Sequence, residues 1–133
     1  MKKKLTLLVF APFVGFGQMF YVAPTEKGFE NKIVDKMKSD GYKLAETKEL
    51  SDYVIDCVVD GSYKFVTVKQ NFHGYLKISD GKTGNEICRT EEVGGSPSVF
   101  NGYQAGFAIM EKIAKKHLNK ALNTAKSDYQ KRR

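Results

Sequence analysis

SDYVIDCVVDGSYKFVTVKQNFHGYLKISDGKTGNEICRTEEV, residues 51 to 93, is the stretch whose reading decides the fold. Alternation inside it marks strands. From Tyr53 to Asp60 the side chains Tyr53, Ile55, Cys57 and Val59 fall on one face and Val54, Asp56, Val58 and Asp60 on the other. A period of two is that of a half-covered strand, and the first set is assigned to the core. Phe72 to Ser79 and Glu86 to Val93 are the next runs. They are joined by Asp80-Gly81-Lys82-Thr83-Gly84-Asn85, residues that accept tight or left-handed backbone. Pairing across that turn is expected to set Ile78 opposite Ile87 and Lys77 opposite Cys88. Asp60-Gly61 is open to two readings, a hairpin turn into Tyr63 to Lys69 or a kink in one long strand.

The flanks supply the cover. Gln18 to Ala23 is short, apolar and partly β-branched, and reads as a first strand ahead of Pro24. Between Glu26 and Asp40, Phe29, Ile33 and Met37 recur at helical spacing, and Gly41 supplies a stop. Tyr42 to Ala45 is a short extended piece. Beyond the loop Gly94 to Ser98, a second helix is expected from about Gly102 to Leu122. Its apolar arc carries Tyr103, Phe107, Met110, Ala114, Leu118 and Ala121, and lysines line the opposite side. The predicted architecture is α+β, a two-layer sandwich with a mainly antiparallel sheet of four or five strands and two helices on one face, in the order β-α-β-β-β-α. Residues 18–125 form this single domain, and residues 126–133 are expected to be a basic flexible tail.

Residues 1–17, MKKKLTLLVFAPFVGFG, have the three-part layout of a secretory signal peptide: three lysines, an apolar run, and small residues at 15 and 17 ahead of a cut before Gln18. The run is too short to cross a bilayer and Pro12 interrupts it. The net charge of +7 is concentrated at the two ends: three lysines lie in the leader and four cations against one acid in the last eight residues. That leaves 15 basic and 14 acidic residues between them, so nucleic acid is not expected as a partner. The basic tail is free to touch an anionic surface. The expected location is periplasmic or secreted.

Catalytic signals are missing from the pattern. His73 and His117 are the two histidines, and neither sits in a nucleophile motif. Glu91 and Glu92 are neighbours in an extended run and point to opposite faces. No phosphate loop, dinucleotide fingerprint or zinc spacing occurs, so no catalytic, cofactor or metal residues are assigned and no enzyme is expected. Cys57 and Cys88 are the two cysteines. An exported chain allows a disulfide between them, but the strand pattern sends them to opposite faces unless the register slips by one residue. Tyr63, Phe65, Phe72 and Tyr75 concentrate aromatics around the middle of the sheet. The outer face around Asp56, Tyr75 and Lys77 is the candidate partner surface.

Asp52-Tyr-Val-Ile-Asp-Cys-Val-Val, followed by Gly74-Tyr-Leu-Lys-Ile-Ser-Asp-Gly-Lys-Thr-Gly-Asn-Glu-Ile-Cys-Arg-Thr, resembles a pattern of small bacterial envelope modules. The group includes the amino-terminal domain of TolB, the periplasmic domain of the curli secretion lipoprotein, and penicillin-binding-protein activator lipoproteins. The resemblance covers about residues 29 to 120 and lies in turn and core residues. It implies a non-catalytic periplasmic module that binds other envelope proteins as an interaction or assembly accessory. This chain differs from many members in having no cysteine near the leader for lipid attachment. A carrier of a small or lipidic ligand, held between sheet and helices, is the alternative reading.

Overall fold

The computed structural model describes residues 18–63, 70–95 and 105–132. Along the chain run β1 (Phe20–Val22), α1 (Asn31–Ser39), a 3-10 turn at Lys48–Leu50, β2 (Tyr53–Tyr63), β3 (Gln70–Asp80), β4 (Glu86–Arg89), β5 (Val93–Gly95), α2 (Ala105–Lys116) and α3 (Leu118–Lys131). β2 and β3 form a long antiparallel pair. β1 runs parallel to β2, as the crossover through α1 requires. β4 and β5 both pair with β3, β4 along Lys77 to Ser79 and β5 along Phe72 to Gly74. The expected α+β sandwich is the observed one. Among the described residues it has five strands, and three helices where two were read.

The alternation of residues 53–60 sorts the faces as expected. Tyr53 and Ile55 are buried, and Cys57 and Val59 pack on the same core. Phe20 on β1 and Leu76 and Ile78 on β3 complete that layer, and Ile33, Met37, Ile109, Met110, Leu118 and Leu122 press on it from the helices, all fully buried. Each such side chain contributes about 1.5–3 kcal/mol relative to exposure. These residues form one buried cluster between sheet and helices.

Asp60 and Gly61 lie inside β2, paired with His73 and Phe72, which settles the two readings in favour of one continuous strand. The connection at 64–69, and with it Phe65, lies outside the described residues, as do the leader, Tyr103 and most of the Gly94 to Ser98 loop.

Three boundaries differ from expectation, each for a local reason. Helix α1 begins at Asn31 and not near Glu26. The preceding residues are held in a turn: Thr25 N–H and its hydroxyl both donate to Glu30 Oε1, Phe29 N–H donates to Thr25 Oγ1, and Gly28 takes φ 77°. At its other end Gly41 adopts φ 86°, with Tyr42 N–H bonded to Met37 O and Gly41 N–H to Lys38 O, the glycine stop that the sequence announced. The second expected helix is two. His117 leaves helical geometry (φ −121°, ψ −20°), and the break lets α2 lie on β3 and β5 while α3 lies on β4.

The stretch 126–131, read as frayed, is the continuation of α3. Ala125 is fully buried and Tyr129 packs on the core, extending the stripe of Leu118, Ala121 and Leu122 at i, i+4 spacing.

Register across the β3–β4 turn also needs correction. Ile78 pairs with Cys88 and Lys77 with Arg89, one residue away from the expected alignment, because a bulge falls between Ile78 and Ser79. Cys88 therefore shares the core face with Cys57. The two thiols are nonetheless separate and free. Cys57 lies on β2 and Cys88 on β4, with β3 between them. Two strand steps put their Cα atoms roughly 10 Å apart, beyond the roughly 4.4–6.8 Å that a disulfide spans.

Candidate functional site

Helices cover one face of the sheet; the residues singled out as a partner surface lie on the other. Asp56 on β2 and Lys77 on β3 are direct cross-strand partners, and Tyr75 is two residues along β3, opposite Val58. All three are half-buried. Asp60 and His73, the next pair on this face, are exposed. Even spacing on a strand keeps residues such as Tyr75 and Lys77 on one face whatever the register of its partner.

Arg89 was not anticipated. The bulge turns it to this face beside Lys77, where its guanidinium sits 4.8 Å from the centre of the Tyr75 ring. Glu86 grips it from below with two bonds, accepting from Nε at 2.8 Å and Nη2 at 2.7 Å. That two-bonded fork fixes the guanidinium beside the phenol ring, a grip open to arginine and not to lysine. Glu86 titrates below the usual carboxylate range, chiefly because it accepts these bonds. The signal available in the sequence was the Glu86 to Arg89 spacing of three. It becomes informative only once the bulge is known.

Of the four clustered aromatics, Tyr75 is on the open face and Phe72 packs against the core. His117 is half-buried at the junction of α2 and α3, beside Cys88, Thr90 and Lys120 in a small surface cleft of about 100 Å³. Burial raises the Cys88 thiol above its ordinary pKa and pushes Cys57 up to about 12, so neither is poised as a nucleophile. No three His, Cys, Asp or Glu side chains among the described residues gather as metal ligands would. No helix among them is long and apolar enough to cross a membrane.

A second polar group sits at the end of the sheet. Asp80, its side chain 2% exposed, opens the β3–β4 turn. It accepts from the N–H groups of Lys82 (2.6 Å) and Thr83 (3.1 Å), and from Arg132 of the last helix. Arg132 also pairs with Asp128 at 3.0 Å, and Asp128 accepts the Tyr53 hydroxyl at 2.7 Å. Asp52 binds Met19 N–H at 2.8 Å. Asp52, Tyr53, Asp80, Lys82, Tyr129 and Arg132 line a cleft of about 230 Å³. Every carboxylate here is satisfied by a neighbour within the chain, and the arrangement reads as a clamp on the fold.

The class that this geometry defines is a two-layer α+β sandwich with helices against one sheet face and Asp56, Tyr75, Lys77 and Arg89 on the other. No protein-family model matches the chain, and no curated protein matches it by sequence. Among solved structures, it is similar to a Xanthomonas campestris protein of family DUF330, at 13% identity with a TM-score of 0.57, over 85% of this chain and 87% of that one. Two others are a minor lipoprotein of Acinetobacter baumannii (9% identity, TM-score 0.45, 84% of this chain and 94% of that one) and lipoprotein GNA1162 of Neisseria meningitidis (12%, 0.43, 80% and 99%). At such identities the likeness is one of fold.

Proposed function

We propose that this chain is an exported, non-catalytic module of the bacterial envelope, and that it works by meeting a protein partner on the open face of its sheet. The observation that carries the reading is the juxtaposition on that face of Asp56, Tyr75, Lys77 and Arg89. An aromatic ring under a fixed guanidinium, flanked by one acid and one lysine, offers an apolar centre with directional polar contacts around it, the composition of a protein-binding centre. The leader pattern of residues 1–17 supports export. The shared fold with a bacterial protein of family DUF330 agrees with a bacterial origin.

Site-specific photocrosslinking tests the reading. A photoreactive residue at position 75 is compared with one at Lys112, which is exposed on α2. In intact cells, one discrete protein adduct from position 75 and none from 112 is expected. Equal labelling from both positions, or a small molecule co-purifying with the chain and no adduct, overturns it.

A further inference from the structure

Charge is divided unevenly between the two layers. The three helices carry nine lysines against three acids, whereas residues 52–95, with β2 to β5, carry seven acids against five cations. The basic end of the chain belongs to this helical excess: Lys131 stands three turns beyond Lys120, on the same line of α3. The outer surfaces of the helices adjoin. Lys32 of α1 lies 3.7 Å from Glu111 of α2, and Lys36 shares one cleft with Asn119 and Lys126 of α3, where Lys126 sits 4.8 Å from the centre of the Tyr42 ring.

Few acids answer these cations. Glu111 takes Lys32 and Lys115, Asp40 takes Lys36 at 3.2 Å, and Asp128 is held by Tyr53 and Arg132. Lys38, Lys112, Lys116, Lys120 and Lys131 are exposed and make no ion pair among the described residues. Around the lysines α3 exposes Asn119, Asn123, Thr124, Ser127 and Gln130, neutral groups able to donate hydrogen bonds.

We propose that this helical surface docks on a bilayer containing anionic phospholipid. Charge complementarity carries the inference: each lysine close to such a surface adds a similar increment of attraction, and the increments are screened by salt. The exposed large apolar residue, Leu50, lies outside the helices, so contact is with headgroups and not with acyl chains. A nucleic acid is better served by stacking rings or free arginine forks. Here Phe107 packs edge-on to Phe29, Tyr129 lies on the core, and Arg132 is engaged by Asp80 and Asp128. The inference stands on the helices and is independent of the partner reading; docking this way leaves the strand face with Tyr75 turned away from the bilayer.

Vesicle flotation tests it, with protein recovered from the periplasm of an expressing bacterium and phosphatidylcholine vesicles with or without phosphatidylglycerol. The anionic lipid is expected to strengthen binding at least about tenfold, and raising salt from about 0.05 to about 0.5 M to abolish that gain. Lys116→Gln with Lys120→Gln should weaken binding to the anionic vesicles about tenfold. Lys48→Gln with Lys82→Gln, the same change in charge at exposed positions off these helices, should weaken it less than about twofold. Equal losses from the two pairs, or equal binding to both kinds of vesicle, overturn the docking face. A higher affinity for duplex DNA than for the anionic vesicles at the same salt overturns lipid as its occupant.

Discussion

The Tyr53 hydroxyl donates a 2.7 Å hydrogen bond to Asp128, joining the first residue of β2 to a residue of the last helix 75 positions away in the chain. Burial, and then the Asp128 carboxylate, raise the phenol's pKa, so it remains a donor above the range in which exposed tyrosines ionise. Tyr53→Phe removes the bond while keeping the ring stacked against Phe20, whose centroid lies 5.8 Å away. The expected cost is about 1 kcal/mol, read as a lower urea midpoint with an unchanged slope. In the wild type, alkaline titration followed by tyrosine absorbance should show one phenol ionising after the rest. Because the folded pKa exceeds the unfolded value, this contribution holds below pH of about 10 and fades above it.

Truncation after Ala125 tests the assignment of the basic end to α3. Loss of Asp128, Tyr129 and Arg132 uncovers Tyr53 and strips Asp80 of its cation. Apolar area alone, through Tyr129, predicts destabilisation of about 1–2 kcal/mol. Thermal denaturation by circular dichroism should show a clearly lower midpoint. An unchanged midpoint would restore the frayed-tail reading.

Asp80 predicts the acid limb of stability. Arg132 is the largest influence, with the Lys82 and Thr83 N–H groups adding to it, and together they hold its carboxyl below the usual range despite burial. A carboxylate with a depressed folded pKa stabilises above its unfolded value of about 3.9 and loses that contribution as pH falls through the lower folded value. Asp80→Asn should therefore lower the midpoint at pH 7 and flatten its dependence on pH below about 4. Equal losses at pH 7 and pH 2 would show that Asp80 acts through shape alone.

Gly81 marks the closest backbone approach in the turn. A Cβ there would lie 2.5 Å from Ser51 O and 2.8 Å from Ser51 Oγ. Gly81 N–H donates to Asp52 O at 2.8 Å, so the turn cannot retreat without breaking the tie between the two strand ends. Gly81→Ala is expected to cost about 1–3 kcal/mol by chemical denaturation. Lys82→Ala, at an exposed neighbouring position, should be close to neutral.

What the sequence revealed and withheld follows from the range of each interaction. Alternation in residues 53–60 placed Ile55 and Asp56 on their proper faces because strand period is a local property. Gly41 ended α1 where it was read because a left-handed stop is also local. The bulge at Ile78/Ser79 is different in kind: it depends on how β4 meets β3, and it alone moved Cys88 to the core and Arg89 to Tyr75. The last turns of α3 escaped notice because Ala125 and Tyr129 are sparse apolar markers among charges, and Asp128 and Arg132 acquire meaning only against Tyr53 and Asp80.

The corrected register carries a prediction about the thiols. Cys57 and Cys88 face the same core from β2 and β4, separated by β3, and both are free. Burial is the main cause that raises Cys57 from 9.0 to about 12, which lowers its thiolate fraction about 1000-fold at neutral pH. Cys88 shifts the same way, and its Sγ lies 3.8 Å from Ala121 O. In the native protein at pH 8 a thiol-reactive dye should label both far more slowly than a free cysteine. In denaturant without reductant it should count two thiols per chain. A count of zero, with a mass two hydrogens below the reduced value, would show a bridge that this strand order does not permit. Fast labelling of one native thiol would place that cysteine on the open face and return the β3–β4 register to the unbulged alignment.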